Sequence, residues 1–511
     1  MQTKEHLKTT HRTSLFSATA LSATSMVGSG WLFSAQLNAK IAGNYSFLAW
    51  FLAALLIIAV GLCLSQVVAK YPVRGATTRS SALSHNGIFG MPFAFANWFG
   101  VMVVIATESQ ATTQYLAAAL HSNMLMNNTG LTVHGKLFAL AVLFVYLMVN
   151  YFGIMLLAKI NNVVTILKIF TPLFTIALLI IAKFDTTNFS IVGDGAYSTS
   201  SAITAIISAG LIYSYNGFQI SVAFASEIKN PRRNVPLSII LSAVIVMVVY
   251  MLLQLAFMGA VPHDQLLSVG GWAGLNYHSP LLNLAMLLGL NFVAIVLLAD
   301  STISPSGTGF AYLGAASRMS YAMGSAGQMP KWTISKLHPK YFLCRRSLLL
   351  NWILASLVLW NSESWASLMV VVTGYHIIGY MAAPISMGAI RPKTRFFGAI
   401  VFVLLGAILT TLPQHDFFMM NVSLVGLMVI FGAVQIGRGA KISILLQLIV
   451  PFLLYLWVIY LYQNLIFVGI ISLIFYIFIT SDTYVNFCKL HRDTSVEIDE
   501  ETANLLLEGI H

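Results

Sequence analysis

About fourteen apolar runs, each close to the length that crosses a bilayer, leave this chain one kind of solution. They fall at 15–35, 45–69, 89–119, 137–153, 158–182, 200–225, 235–260, 289–316, 347–361, 365–389, 396–412, 418–436, 442–463 and 465–481. In hydrocarbon every backbone N–H and C=O needs a partner within the protein, so such runs become α-helices. A short surface or re-entrant helix is expected between Ser279 and Gly289. Composition points the same way. Of 511 residues, 58% are hydrophobic and only 8% are charged, too few to cover the surface of a water-soluble chain of this length. The expected class is an all-α polytopic membrane protein of about 14 transmembrane helices.

Two of the runs are interrupted in mid-membrane, by Ser25-Met26-Val27-Gly28-Ser29-Gly30 in the first and by Tyr213-Ser214-Tyr215-Asn216-Gly217 in the sixth. Glycine weakens a helix, and backbone left unpaired in lipid costs several kcal/mol unless it lines a cavity. Breaks five spans apart suggest paired inverted repeats whose unwound helices build a site near the midplane, and that points to a secondary transporter. A broken helix offers free N–H groups where its second half begins and free C=O groups where its first half ends. The former attract carboxylate and the latter ammonium or a coupling cation. An α-amino acid carries both groups on one carbon. Gly28 and Gly30 are expected to let a ligand approach the backbone, with Ser29 adding a hydroxyl. Close helix packing through small residues is the alternative, and the second break favours a site. Tyr213 and Tyr215 beside the second break are candidates for a gate, with plain packing as the alternative for each.

The net charge of +11 raises the question of nucleic acid, and the distribution of charge answers it. Lys and Arg sit in short loops rather than on a basic face, so no nucleic-acid partner is expected. With the N-terminus in the cytoplasm, Lys70, Arg74, Arg79, Lys159, Lys229, Arg232, Arg233, Arg318, Lys331, Lys336, Lys340, Arg345, Arg346, Arg391, Lys393, Arg395, Arg438 and Lys441 all lie inside, only Lys40, Lys136 and Lys183 face out, and Lys168 is intramembrane. Both termini are therefore expected in the cytoplasm of a multi-pass protein of the cell inner membrane. Lys4, Lys8 and Arg12 before an apolar stretch resemble a signal peptide, but the apolar character runs on into the break, so this reads as a retained helix. Cys63, Cys344 and Cys488 give neither a disulfide framework nor metal-ligand spacing; no metal and no cofactor are expected. The expected organisation is a cytoplasmic N-terminus (1–14), a ten-helix transport core (15–390), additional membrane helices (391–482) and an acidic cytoplasmic tail (483–511).

These residues resemble a known family. Gly28-Ser29-Gly30, the sixth-span break, and the run Glu227-Ile228-Lys229-Asn230-Pro231-Arg232-Arg233-Asn234-Val235-Pro236 are similar to the amino acid–polyamine–organocation permeases, as is Ser317-Arg318-Met319-Ser320-Tyr321-Ala322 at the exit of span eight. Within that superfamily the chain looks most like bacterial aspartate–proton symporter relatives, on Gly28 to Phe33 and on Asp300 with Ser304 to Gly309. The resemblance implies a five-plus-five inverted-repeat fold, alternating access, and a site between spans 1, 3, 6 and 8. It also implies coupling to protons or to a counter-substrate. Gly28, Ser29 and Gly30 would hold the carboxylate, carbonyls around Ser25, Met26 and Val27 and from Tyr213 to Asn216 would hold the amine, and Tyr213 would gate. The chain departs from the pattern at Trp31-Leu32, at Gly75-Ala76-Thr77-Thr78, and at Gln219, where some antiporters carry a pH-sensing acid.

Three ionisable residues fall inside spans: Glu108, Lys168 and Asp300. Such groups are functional candidates by default. In the proton-coupled permeases that the region resembles, a lysine like Lys168 replaces a sodium ion and contacts first-span carbonyls and eighth-span hydroxyls. Its loss and gain of a proton would link transport to pH; a snorkelling lysine is the alternative. Glu108 and Asp300 are candidates for proton relay or for pairing with a cation. Glu227, Arg232 and Arg233 suggest a cytoplasmic gate, and His376 reads as a packing histidine. No His-Glu-x-x-His, Gly-x-Ser-x-Gly or Gly-x-x-x-x-Gly-Lys-Ser/Thr motif is present, so neither an enzyme nor an ATP-driven pump is expected. Proton-coupled amino acid uptake is the leading expectation. The others are exchange of cationic or neutral substrates and a transport-dead sensor. The lipid bilayer and a small amino acid are the expected partners, and nothing in the sequence fixes an oligomer.

Overall fold

The structure, a computed structural model, describes residues 13–71, 76–127, 130–152, 154–190, 197–223, 225, 228–325, 329, 344–362 and 364–491. The first expected run forms two helices, α1 (Leu15–Met26) and α2 (Gly30–Ala42), separated at the predicted glycines. Then come α3 (Ser46–Lys70), α4 (Ala76–Ser84), α5 (Met91–Ala119), α6 (Val133–Phe152) and α7 (Ile154–Ala182). A two-stranded antiparallel ribbon, β1 (Met126–Asn127) with β2 (Gly130–Leu131), joins α5 to α6. The sixth run is split into α8 (Thr199–Ser208), α9 (Leu211–Ser214) and α10 (Ile220–Ala223), and α11 (Pro231–Ala260) follows.

Short helices α12 (His263–Ser268) and α13 (Pro280–Leu287) lead into α14 (Asn291–Ser325). The C-terminal part contains α15 (Arg345–Asn361), α16 (Trp365–Tyr380), α17 (Ala382–Ile390), α18 (Arg395–Leu409), α19 (Gln414–Ile436), α20 (Ile442–Leu461), α21 (Leu465–Thr480) and the amphipathic α22 (Asp482–Leu490). Among the described residues nine helical stretches are long and apolar enough to span a membrane, or ten if the bent pair α21–α22 counts as one. That is fewer than the fourteen runs expected, partly for a physical reason. α2 runs on with α3 as one stretch of 41 residues, and α1 and the pieces of the sixth run are too short to qualify by length.

α5 lies at the centre, packed along both α14 and α16, and is buried over nearly its whole length. α3 and α1 pack on α11, and α7 packs on α14. The faces turned outward carry Ile169, Phe170, Leu173, Ile245, Phe292 and Ile295, the apolar surface that lipid requires. Many of the polar groups turned inward are paired. Gln254 of α11 is an example: its Oε1 accepts from Asn38 Nδ2 (3.1 Å) and Trp50 Nε1 (3.0 Å), and its Nε2 donates to the Ala35 carbonyl (2.9 Å). This one amide ties α11 to α2 and α3. Gln254→Ala leaves several buried partners unsatisfied, and we expect a loss of about 2–4 kcal/mol of stability. A lowered thermal midpoint in detergent would report it; an unchanged midpoint contradicts this.

α22 is anchored by Asn86 Nδ2 donating to the Cys488 carbonyl (2.9 Å) and by an Arg395–Asp482 ion pair of 2.5 Å. All three cysteines are buried.

Candidate functional site

The two breaks face each other, and their glycines explain how. A Cβ built on Gly30 would stand 2.5 Å from Ser214 Oγ and 3.1 Å from Ser214 Cα. One on Gly217, whose φ is +124°, would stand 2.6 Å from the Ser25 carbonyl. Each break thus omits a side chain where the other presses against it. The missing side chain of Gly30 therefore makes room for contact between the broken helices. The close-packing alternative describes Gly30 and Gly217 well. It does not describe Gly28, where a Cβ would meet Glu108 Oε1 at 3.0 Å and the hydroxyl of Thr308 at 3.7 Å.

A cavity of about 220 Å³ opens between the breaks, lined by Ser25, Met26, Gly28, Val104, Glu108, Tyr213, Asn216, Thr308 and Tyr312. Of the residues expected to bind substrate, Ser25, Met26, Gly28, Tyr213 and Asn216 line it. Val27, Ser29, Gly30, Tyr215 and Gly217 do not, although Ser29 acts at its edge. Tyr215 is a correction. Its ring is fully buried against Trp50 and Tyr250, with its hydroxyl donating to the Trp50 carbonyl (3.4 Å), so it belongs to the core. Residues next to one another on a broken segment point in different directions, and sequence alone does not say which turns inward.

Around the first break runs a directed chain of hydrogen bonds. Trp365 Nε1 donates to Ser29 Oγ (2.9 Å), and Ser29 Oγ lies 3.1 Å from the Tyr213 hydroxyl. The Tyr213 hydroxyl donates to Glu108 Oε1 (2.7 Å). With the tyrosine proton spent on Glu108, the serine proton points to the tyrosine oxygen. The Ser29 backbone N–H also donates to Glu108, at 3.2 Å to Oε2 and 3.4 Å to Oε1. Trp365 stacks on Phe33 at 4.5 Å and meets Tyr213 edge-on, closing an aromatic lid over the break.

The carbonyl ends of the two breaks are held together by one side chain that sequence reasoning missed. The Tyr250 hydroxyl lies 3.0 Å from both the Met26 and the Ser214 carbonyls, and its single proton is shared between them. Asn216 accepts from Gln219 Nε2 (2.8 Å), while its own Nδ2, buried at the cavity, has no partner among the described residues. Trp365, Tyr250 and Tyr312 were beyond sequence reasoning because they come from distant spans, and an aromatic in an apolar helix carries no signal of its own.

Lys168 is buried midway along α7 and donates to Thr308 Oγ1 (2.8 Å), so it does not snorkel. The expected contact with an eighth-span hydroxyl is present. The expected contact with first-span carbonyls is not, since among the described residues Thr308 is its hydrogen-bond partner. Asp300 is fully buried two turns up α14 from Thr308, outside the cavity; the Thr171 hydroxyl is near it, but among the described residues neither of its oxygens has a hydrogen bond of good geometry. Lys168 is not within ion-pair distance of Glu108 or Asp300 among the described residues. Arg232 and Arg233 are exposed in the first turn of α11 and form no ion pair among the described residues; Glu227 lies outside them. His376 packs against Gly100 and stacks on Tyr380.

Comparison with known proteins agrees with this architecture. A family model described as amino acid permease matches residues 14–487. The chain is 34% identical over 389 residues to the glutamate/serine transporter AimA of Bacillus subtilis (strain 168), covering 74% of this chain and 71% of that protein. It is 28% identical over 384 residues to the aspartate-proton symporter of the same organism, covering 75% and 73%. Similarity extends to the branched-chain amino acid permease BcaP, at 22% over 347 residues, covering 64% and 69%. A multi-pass helical chain with these relatives is a transporter and not an enzyme, and it belongs to the amino acid permease family.

Proposed function

We propose that the chain takes up amino acids by proton-coupled alternating access across the cell inner membrane, with both termini in the cytoplasm. The observation that carries this reading is the cavity between the two breaks, with Glu108 inside it and Lys168 one hydrogen bond from its lining residue Thr308. In this reading residues 15–390 form a five-plus-five inverted-repeat core, 391–482 add membrane helices that complete about fourteen, and 483–511 form a cytoplasmic tail. The N–H end of the first break, at Ser29, receives the substrate carboxylate, and carbonyls near Ser25 and Val27 with the free Asn216 amide hold the amine and side chain. Tyr213 and Trp365 close the outer side, and Lys168, Glu108 and Asp300 carry the proton coupling. Arg232, Arg233 and Glu227 guard the cytoplasmic end. The names of the relatives turn the substrate search toward glutamate, aspartate and serine.

The test is uptake of labelled L-aspartate, L-glutamate and L-serine into proteoliposomes under an inward proton gradient. Accumulation above the level without a gradient is the expected result. Uptake only into vesicles preloaded with amino acid would replace symport with exchange. No uptake under either condition would overturn the reading.

A further inference from the structure

The position where a substrate carboxylate is expected already holds a carboxyl group. Glu108 reaches from α5 to the N-terminal end of α2, where the Ser29 N–H donates to both of its oxygens and the Tyr213 hydroxyl donates to one. The missing side chain of Gly28 makes room for it, since a Cβ there would stand 3.0 Å from Oε1. We infer that Glu108 is a built-in surrogate for the substrate's α-carboxylate, occupying the N–H cradle of the first break until an amino acid displaces it. This rests on the reading of the two breaks as the substrate site.

Three physical points support it. The helix end and the oriented N–H favour a negative oxygen, and a carboxylate that accepts such bonds is held more strongly than a neutral group. The Glu108 carboxyl is among the groups that line the cavity between the breaks, where a substrate would have to enter. Finally, two carboxylates cannot share one donor set, because like charges in a buried site repel strongly. The substrate therefore binds well only when Glu108 is neutral or has turned away. A proton on Glu108 releases its claim on the Ser29 N–H, and the proton and the amino acid then enter the site together.

The groups that face Glu108 allow this. Lys168 on α7 acts on it as a positive charge, and Tyr213, Tyr146, Tyr250 and Tyr312 surround it from α9, α6, α11 and α14. The tyrosines are neutral over the working range. Asp300 on α14 acts on Lys168, and His376 on α16 faces α5 two turns away, at Gly100.

The experiment measures binding of labelled L-serine, L-aspartate and L-glutamate to purified wild type, Glu108→Gln and Gly30→Val from about pH 5 to pH 9. For wild type, affinity is expected to fall as pH rises, by up to about tenfold per pH unit once Glu108 is ionised. Glu108→Gln is expected to bind with an affinity that no longer follows pH and is at least ~tenfold tighter than wild type at the alkaline end. Should that variant not fold, Tyr213→Phe weakens the hold on Glu108 and tightens binding in the same direction. A flat wild-type profile, or weaker binding by Glu108→Gln at every pH, overturns the surrogate while leaving the site in place if Gly30→Val has lost binding. Binding by Gly30→Val at wild-type strength removes the site itself, and the surrogate with it.

Discussion

A valine at position 30 is expected to reduce amino acid binding and uptake below detection, a loss of at least ~hundredfold, while the protein still reaches the membrane. The reason differs from the one the motif suggests. The position is tight because Ser214 of the sixth span stands against it, at 2.5 Å from a built Cβ, and part of that contact is backbone. A rotamer change in Ser214 cannot relieve the 3.1 Å approach to its Cα. Valine must therefore push the two broken helices apart, and overpacking of this kind costs roughly 1–3 kcal/mol in a core. The displacement falls on the N–H groups of the first break and the carbonyls of the second. The rest of the bundle, in which α5 packs on α14 and α16, is untouched. Binding assays together with gel filtration in detergent separate loss of the site from loss of the fold. Binding at wild-type affinity would mean that the breaks are not the site.

The second large effect is expected at Lys168. Replacing it with alanine removes the only positive charge acting on both Glu108 and Asp300 in the described structure. Without it the two buried carboxylates bear the full cost of desolvation where they stay ionised. Protonating the carboxyls avoids that cost, and it also ends their use as proton carriers. Gradient-driven uptake by Lys168→Ala is therefore expected to fall at least ~tenfold, to the level seen without a gradient. Lys168→Arg sharpens the test, because arginine keeps the charge but does not release its proton. It should bind substrate and fail to couple. An unchanged gradient dependence in both variants would remove Lys168 from the coupling machinery.

Much of this was legible in the sequence because lipid allows few choices. The breaks at Val27–Ser29 and at Tyr215–Gln219 stand where glycine interrupts an apolar run, and the short helix at Pro280–Leu287 stands where a surface helix was expected. Glu108 and Lys168 declared themselves as charges inside spans. What was not legible is who faces whom. Helical period tells that Tyr213 and Tyr215 point in different directions, but not that Tyr213 meets Glu108 while Tyr215 meets Trp50. Gly30 looked like an opening for a ligand, and only the packing of the sixth span shows that Ser214 fills it. The same holds for Trp365, which reaches Ser29 across 336 positions of sequence. Long-range pairing of this kind is decided by the summed packing of many helices, and no local pattern encodes it.

The central claim is that the two breaks together form the substrate site. An experimental structure of the protein in a bilayer mimic, saturated with the amino acid that the uptake assay identifies, tests it most directly. The account predicts density between Gly28–Ser29 and Tyr213–Asn216, with the substrate carboxylate on the Ser29 N–H and the Glu108 side chain turned out of that position. Substrate density elsewhere in the bundle, with Glu108 still bonded to Ser29, would contradict it.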